Sequence, residues 1–300
     1  MADTAARWSG EVYFIHLKHA SPGKKRKIIE EINKSLGFND QAVREWKHAD
    51  RLRCPRCDPE HGKDIVCNGK AKPGSDRQRY LCRNCGRSFN DRTGTVLHKS
   101  RKAEWWPAFL KCLLDGKSVR EIAKDVGISP TTAQAWRRKL LSHLAERTSP
   151  TLKGIVEYTE LSVKTSSKGQ KTGHSPGSGQ RETVVFCKSR SGGVYVGHGR
   201  QWNRHREWSR EEILWHTDLP KPALMPENAS PTFPVCGAQR RLLHARRAAE
   251  LAEQFSEMYA KMRGTATRYL PLYAAWHQFQ DQNRHVAPRD KILRLLISGL

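Results

Sequence analysis

The chain has 300 residues, with 54 Lys and Arg against 30 Asp and Glu, giving a formal net charge of +24. Its mean hydropathy is −0.74, and no stretch nears the ~20 consecutive apolar residues of a membrane span, which excludes an integral membrane protein. The first residues lack the basic-then-apolar order of a secretory signal, so a cytoplasmic protein is expected, and so large a positive charge points to nucleic acid as partner.

In chain order, residues 1–45 carry no motif and stay unassigned. Cys54 and Cys57 then form Cys-Pro-Arg-Cys, and Cys82 and Cys85 form Cys-Arg-Asn-Cys, with 24 residues between the pairs. Each pair can present two thiolates from a tight turn, and two such knuckles close a tetrahedron around Zn2+. Ile65, Val66, Tyr80 and Leu81 read as short strands leading away from and back to the knuckles, so residues 46–98 are expected to be a zinc ribbon. Two disulfides are the alternative, disfavoured in a reducing cytosol. Cys67 and His61 fall between the pairs without belonging to one, and Cys112 stands in an apolar helical stretch as a core residue.

Residues 99–147 show helical periodicity. Trp106, Phe109, Leu110, Leu113 and Leu114 make one apolar face before Gly116. Ser118 and Glu121 form a capping box for a short helix that Gly127 ends, and Ser129 caps a longer helix with Pro130 at its first position. Short helix, glycine turn and long helix make a helix-turn-helix. Thr131, Gln134 and Arg138 would face base edges in double-stranded DNA, while Arg137 and Lys139 flank that row and would meet phosphates.

The motif order Cys-Pro-Arg-Cys, then Arg79 to Thr95, then the Trp105-Trp106 helix and the stretch Ser118 to Leu141 resembles bacterial insertion-sequence transposases of the zinc-ribbon, ISXO-like group. Gly154 to Glu160 resembles the strand that opens their nuclease domain, and Arg263 to Tyr273 with Trp276 resembles their C-terminal helical motif. The resemblance implies a DDE-type, ribonuclease-H-like domain over residues 154–285, in which acidic residues hold Mg2+ or Mn2+ for phosphodiester cleavage and strand transfer. It also implies binding to the element's terminal repeats as a homodimer, in a bacterial, nucleoid-associated setting.

This chain departs from the pattern. Thr159 stands at the family's first aspartate, followed by Glu160; Ala249 aligns with the third metal-facing residue, and Asp218 is the one Asp between Asp125 and Asp281. The carboxylates left for a catalytic set are Glu160, Asp218 and Glu250, so a catalytically impaired copy is expected. Residues 172–235 are rich in Gly, Ser and Pro, with strand-like patterns only at Glu182 to Cys187 and Gly193 to Val196. A stretch unlike the family between two that resemble it is what two compensating frameshifts produce, or a disordered segment.

The expected fold is therefore α+β and multidomain: a zinc ribbon, a helix-turn-helix bundle, and a degraded ribonuclease-H-like α/β domain with a helical C-terminus. The expected function is insertion-sequence transposition with impaired chemistry. The alternative is a repurposed sequence-specific DNA-binding regulator without nuclease activity.

Overall fold

Short-range signals start and stop the helices of this α+β chain. The computed structural model describes residues 17, 20–48, 52–57, 64–72, 76–147, 152–166, 181–202, 213–217, 223–224, 246–261 and 266–297. It divides into two units, residues 1–143 with 286–300 and residues 144–285. No helix among the described residues is long and apolar enough to cross a membrane.

In the first unit, the segment without sequence motif forms α1 (Pro22–Leu36) and α2 (Asp40–Lys47). Pro22 sits where a helix needs no amide donor, and the Asn39 side chain accepts from the Ala42 N–H at 2.7 Å to start α2. Strands β1 (Ile65–Lys70), β2 (Gln78–Cys82) and β3 (Ser88–Asn90) make an antiparallel sheet. A 3-10 turn at Ala103–Trp105 leads into α3 (Trp106–Leu114), α4 (Val119–Val126) and α5 (Pro130–Arg147). The capping box is present: Ser118 Oγ accepts from the Glu121 N–H, and the Glu121 carboxylate accepts from the Ser118 N–H. Gly127 stops α4 at φ +78°, a conformation open to glycine at little cost. Trp106 stacks on Trp136 with ring centroids 4.8 Å apart, and Phe109 meets both edge-on, which joins α3 to α5. Helix α9 (Pro288–Ile297) returns from the C-terminus to pack on α3 and α2.

The β-sheet is fastened to α2 through buried Asp91. Its carboxylate accepts from Tyr80 Oη at 2.9 Å, the Gln78 N–H at 2.8 Å and the Arg44 guanidinium at 3.3 Å. Asp40 at the start of α2 takes Arg92 at 2.6 Å and Arg77 at 3.6 Å, and Lys47 at its end donates to the Thr93 carbonyl. His48 packs edge-on against Tyr80, with Nε2 3.8 Å from Asp91.

The second unit is built on β4 (Gly154–Lys164), β5 (Arg181–Ser189), β6 (Val194–His198) and β7 (Ile213–His216), with a short α6 (Gly199–Trp202) and the helices α7 (Arg246–Lys261) and α8 (Leu270–Gln282). The strand order is β6-β5-β4-β7; β5 runs antiparallel to both β4 and β6, and β7 runs parallel to β4. Side chains alternate between faces. Glu157, Thr159, Phe186 and Lys188 lie on the face that α7 and α8 cover, with Phe186 against Phe255 at 5.4 Å and Lys188 paired to Asp281 at 2.9 Å. Tyr158, Cys187, Tyr195, Trp202 and Trp215 form an apolar cluster on the other face. Edge strand β6 is met by side chains of α8: Gln278 Nε2 donates to the Val194 carbonyl at 2.7 Å and its Oε1 accepts from the Val196 N–H at 3.1 Å, while Gln282 Nε2 donates to the same carbonyl at 3.4 Å.

The strand patterns at 182–187 and 193–196 are met by β5 and β6. Strand β5 pairs with β4 over nine residues in register. Beyond residues 181–198, the described residues of 172–235 are 199–202, 213–217 and 223–224. Strand β7 escaped the sequence because four residues are too few to show alternation.

Two outcomes follow for the first unit. Asp91→Ala leaves the Tyr80 hydroxyl, the Gln78 N–H and Arg44 without their acceptor and should cost about 3 kcal/mol in urea unfolding. Burial pushes the His48 imidazole down from its ordinary range to about 4, with Lys47 adding to the effect. Between about pH 6.5 and 4 the unfolded chain then binds a proton that the folded one refuses, so stability falls as pH drops through that window. His48→Gln should flatten that part of a profile of Tm against pH.

Candidate functional site

The four cysteines converge. Cys54 and Cys57 lie on the segment before β1; Cys82 ends β2, and Cys85 lies in the turn to β3. That turn is tight because the Gly86 N–H donates to the Cys82 carbonyl at 2.8 Å, with Gly86 at φ +67°. All four sulfurs lie within 4.8 Å of one another, with Cys54–Cys85 and Cys57–Cys82 each 3.7 Å apart. A disulfide needs about 2.05 Å, whereas thiolates around a tetrahedral ion with bonds of about 2.3 Å stand about 3.8 Å apart. The sulfurs thus fit a structural metal ion. Tyr80 and Phe89 pack beneath them, with Leu52 and Ile65 beside. As free thiols the group shares its protons unevenly: hydrogen bonding with Cys85 pushes Cys57 up to about 12, and a backbone hydrogen bond from Arg87 draws Cys85 down to about 7. Among the described residues these cysteines form the one group of three or more potential ligands. Cys67 is exposed on β1, outside the cluster, and Cys112 is buried in α3.

A second candidate surface lies on α5. Ser129 Oγ accepts from the Thr132 N–H at 3.1 Å and fixes the helix start. Ala133, Leu140, Leu141 and Leu144 are buried beneath. Thr131, Gln134 and Arg138 are exposed at spacings of three and four, which puts them on one stripe. Arg137 and Lys139 flank it half-buried. Lys139 differs from the solvent-facing cation expected: its ammonium donates to the His98 carbonyl, and burial lowers its pKa.

The carboxylates behave differently. Glu160 lies on the Tyr158 face of β4, where Tyr158 Oη donates to it at 2.5 Å and the Ala223 and Leu224 N–H groups donate at 3.1 and 2.8 Å. Glu250 is exposed on α7, on the opposite side of the sheet, paired to Arg246 at 2.8 Å. The structure does not bring these two together, and Asp218 lies outside the described residues. Sequence reasoning passed over Glu157, which is 3% exposed on the α7 side. Its Oε2 accepts from the Arg247 N–H at 2.8 Å and from the Ala248 N–H at 3.4 Å, and Arg190 stands 3.9 Å from its other oxygen. Glu157 thus satisfies the first turn of a helix 90 residues away in sequence. Thr159, where the resemblance expects an aspartate, lies on the same face two residues on. The described carboxylates on offer do not fit a divalent-ion site.

No family model matches the chain. It is similar to an uncharacterized protein in the transposable element ISH50 of Halobacterium salinarum, 34% identical over 127 residues, which is 42% of this chain and 40% of that protein. The chain thus spans well under half the length of that curated relative. The similarity supports a protein related to insertion sequences.

Metal in the cysteine cluster should be a condition of folding there. Cys82→Ser is expected to lose the bound ion in elemental analysis and to unfold the β1–β3 sheet, because a four-sulfur site supplies on the order of 10 kcal/mol of folding free energy. Retention of the ion and of the wild-type melting profile would contradict the assignment.

Proposed function

We propose that this chain is a transposase-related, sequence-specific binder of double-stranded DNA, descended from an insertion-sequence transposase and impaired in phosphodiester chemistry. The observation that carries the reading is the 34% identity over 127 residues to a protein of a transposable element. The first unit supports the binding half. Zn2+ is the ion best suited to four cysteine sulfurs about 3.7 Å apart, and it would make residues 46–98 a zinc ribbon. The capped α4, the Gly127 turn and α5 fit a helix-turn-helix, with Thr131, Gln134 and Arg138 toward base edges and Arg137 toward phosphates. The net charge of +24 favours the same partner. Binding to the element's terminal repeats would place a homodimer of the chain on the DNA, in the nucleoid of a bacterial cytoplasm.

Support for a ribonuclease-H-like second unit is its strand order: three antiparallel strands in sequence, then a fourth strand parallel to the first, with α7 and α8 on one face. Support for impaired chemistry is Thr159 in place of a carboxylate, together with Glu157 and Glu160 held by backbone N–H groups. The same commitment of carboxylates favours the second reading, a DNA-binding regulator that never cuts.

A titration of the DNA ends flanking the gene, beside a cleavage and strand-transfer assay with Mg2+ and Mn2+, tests the proposal. Site-selective binding without cleavage is the expected result, and cleavage would overturn the impaired reading. Arg138→Ala should weaken binding to the preferred site by about 1–3 kcal/mol and relax its sequence preference. Lys139→Gln should change affinity little, since its ammonium is held by His98.

A further inference from the structure

Helix α1 begins Pro22-Gly23-Lys24-Lys25-Arg26-Lys27, with no acidic residue in its first turn. Four successive cations at the positive end of a helix oppose its dipole, a placement that does nothing for the helix itself. Lys25 is accounted for: its ammonium donates to the Lys124 carbonyl at 2.6 Å and the Asp125 carbonyl at 3.1 Å, at the C-terminal end of α4. Its Cδ lies 3.0 Å from where a Cβ on Gly127 would stand, so the side chain runs along the turn that leads into α5. Burial lowers the Lys25 pKa, because desolvation disfavours its charged form. Lys24, Arg26 and Lys27 are exposed and form no ion pair with any described residue; the acidic Glu30 and Glu31 follow one turn later.

Lys25 therefore roots a basic helix turn beside the segment that enters α5, whose first turns carry Thr131 and Gln134. We propose that Lys24, Arg26 and Lys27 contact the phosphate backbone of duplex DNA beside the groove that α5 enters, making the N-terminal helix a second DNA-binding element. This rests on the reading of α5 as a DNA-binding helix. Chemistry favours duplex phosphate as occupant: three exposed cations within one helical turn suit closely spaced, singly charged oxygens, and they offer little apolar surface to a protein partner.

Phosphate contacts are independent of sequence, so the test needs no knowledge of the target. Binding of the full-length wild type, of Lys24→Gln alone and of the triple variant Lys24→Gln/Arg26→Gln/Lys27→Gln to an arbitrary duplex of about 30 base pairs is measured against salt concentration. Each lost contact should lower the slope of log K against log salt by about 0.9, so the triple variant should fall by two to three units and lose tens of fold in affinity at low salt. Thermal unfolding of the triple variant should be unchanged or higher, since it removes cations that oppose the helix dipole. Wild-type binding with an equal slope in all three proteins would overturn the proposal and leave α5 as the DNA contact. No wild-type binding to any duplex would overturn the DNA-binding reading, and this inference with it.

Discussion

A carboxylate shut away from water has to be met by donors from the protein, and this constraint organises both units. Asp91 gathers Tyr80, Gln78 and Arg44; Asp125 takes Lys117 at 2.8 Å; Glu157 takes the first amides of α7; Asp281 takes Lys188 at 2.9 Å and Arg284 at 3.0 Å. The carboxylate of each of these acids is nearly or wholly buried, and each links elements far apart in sequence or braces a helix end. Each also has a cation beside it: Arg44 at Asp91, Lys117 at Asp125, Arg190 at Glu157 and Lys188 at Asp281.

Strand β4 is where this constraint meets the question of chemistry. Alternation sends Glu157 and Thr159 toward α7 and Tyr158 and Glu160 toward the aromatic cluster of Trp202 and Trp215. Glu157 could serve a divalent ion only by releasing the α7 amides, and it would do so beside the positive end of that helix, with Arg190 close by. Glu160 has donors on both oxygens and lies across the sheet from Glu250. Position on the strand, rather than the number of acids in the sequence, decides what each can do.

The features legible in the sequence are those closed within a few residues. The capping box spans Ser118 to Glu121, each cysteine knuckle spans four positions, and Ser129 meets Thr132. Strands β5 and β6 were legible because their apolar residues run long enough to show a pattern. What stayed hidden depends on distant partners: the Arg44–Asp91 link spans 47 residues, the Lys139–His98 contact 41, and the Glu157–Arg247 contact 90. Nothing local marks Lys139 as different from Arg138, and only the fold shows that the Lys139 ammonium donates to the His98 carbonyl. Helices α1 and α2 lacked a recognisable motif although Asn39 and Pro22 are ordinary start signals, because such signals say that a helix begins and not what it packs against.

The same long-range logic governs how the first unit is completed. Helix α3 is buried on nearly every side, from Trp106 through Leu113, so no single neighbour can shield it. Helices α1 and α4 and the ring of Trp136 cover part of it, and α9 covers more with Ile292, Leu295 and Leu296, each fully buried. That last cover lies more than 170 residues beyond α3 in sequence, after the whole of the second unit. The core beneath α5 is therefore closed only when residues 288–297 are in place, and the intervening sheet is a large loop whose ends the first unit must hold together. Closing such a loop is easier when its contents are folded and compact, so the stability of the second unit feeds into that of the first through chain connectivity. Folding of the second unit thus keeps the closing helix within reach of the core that it completes.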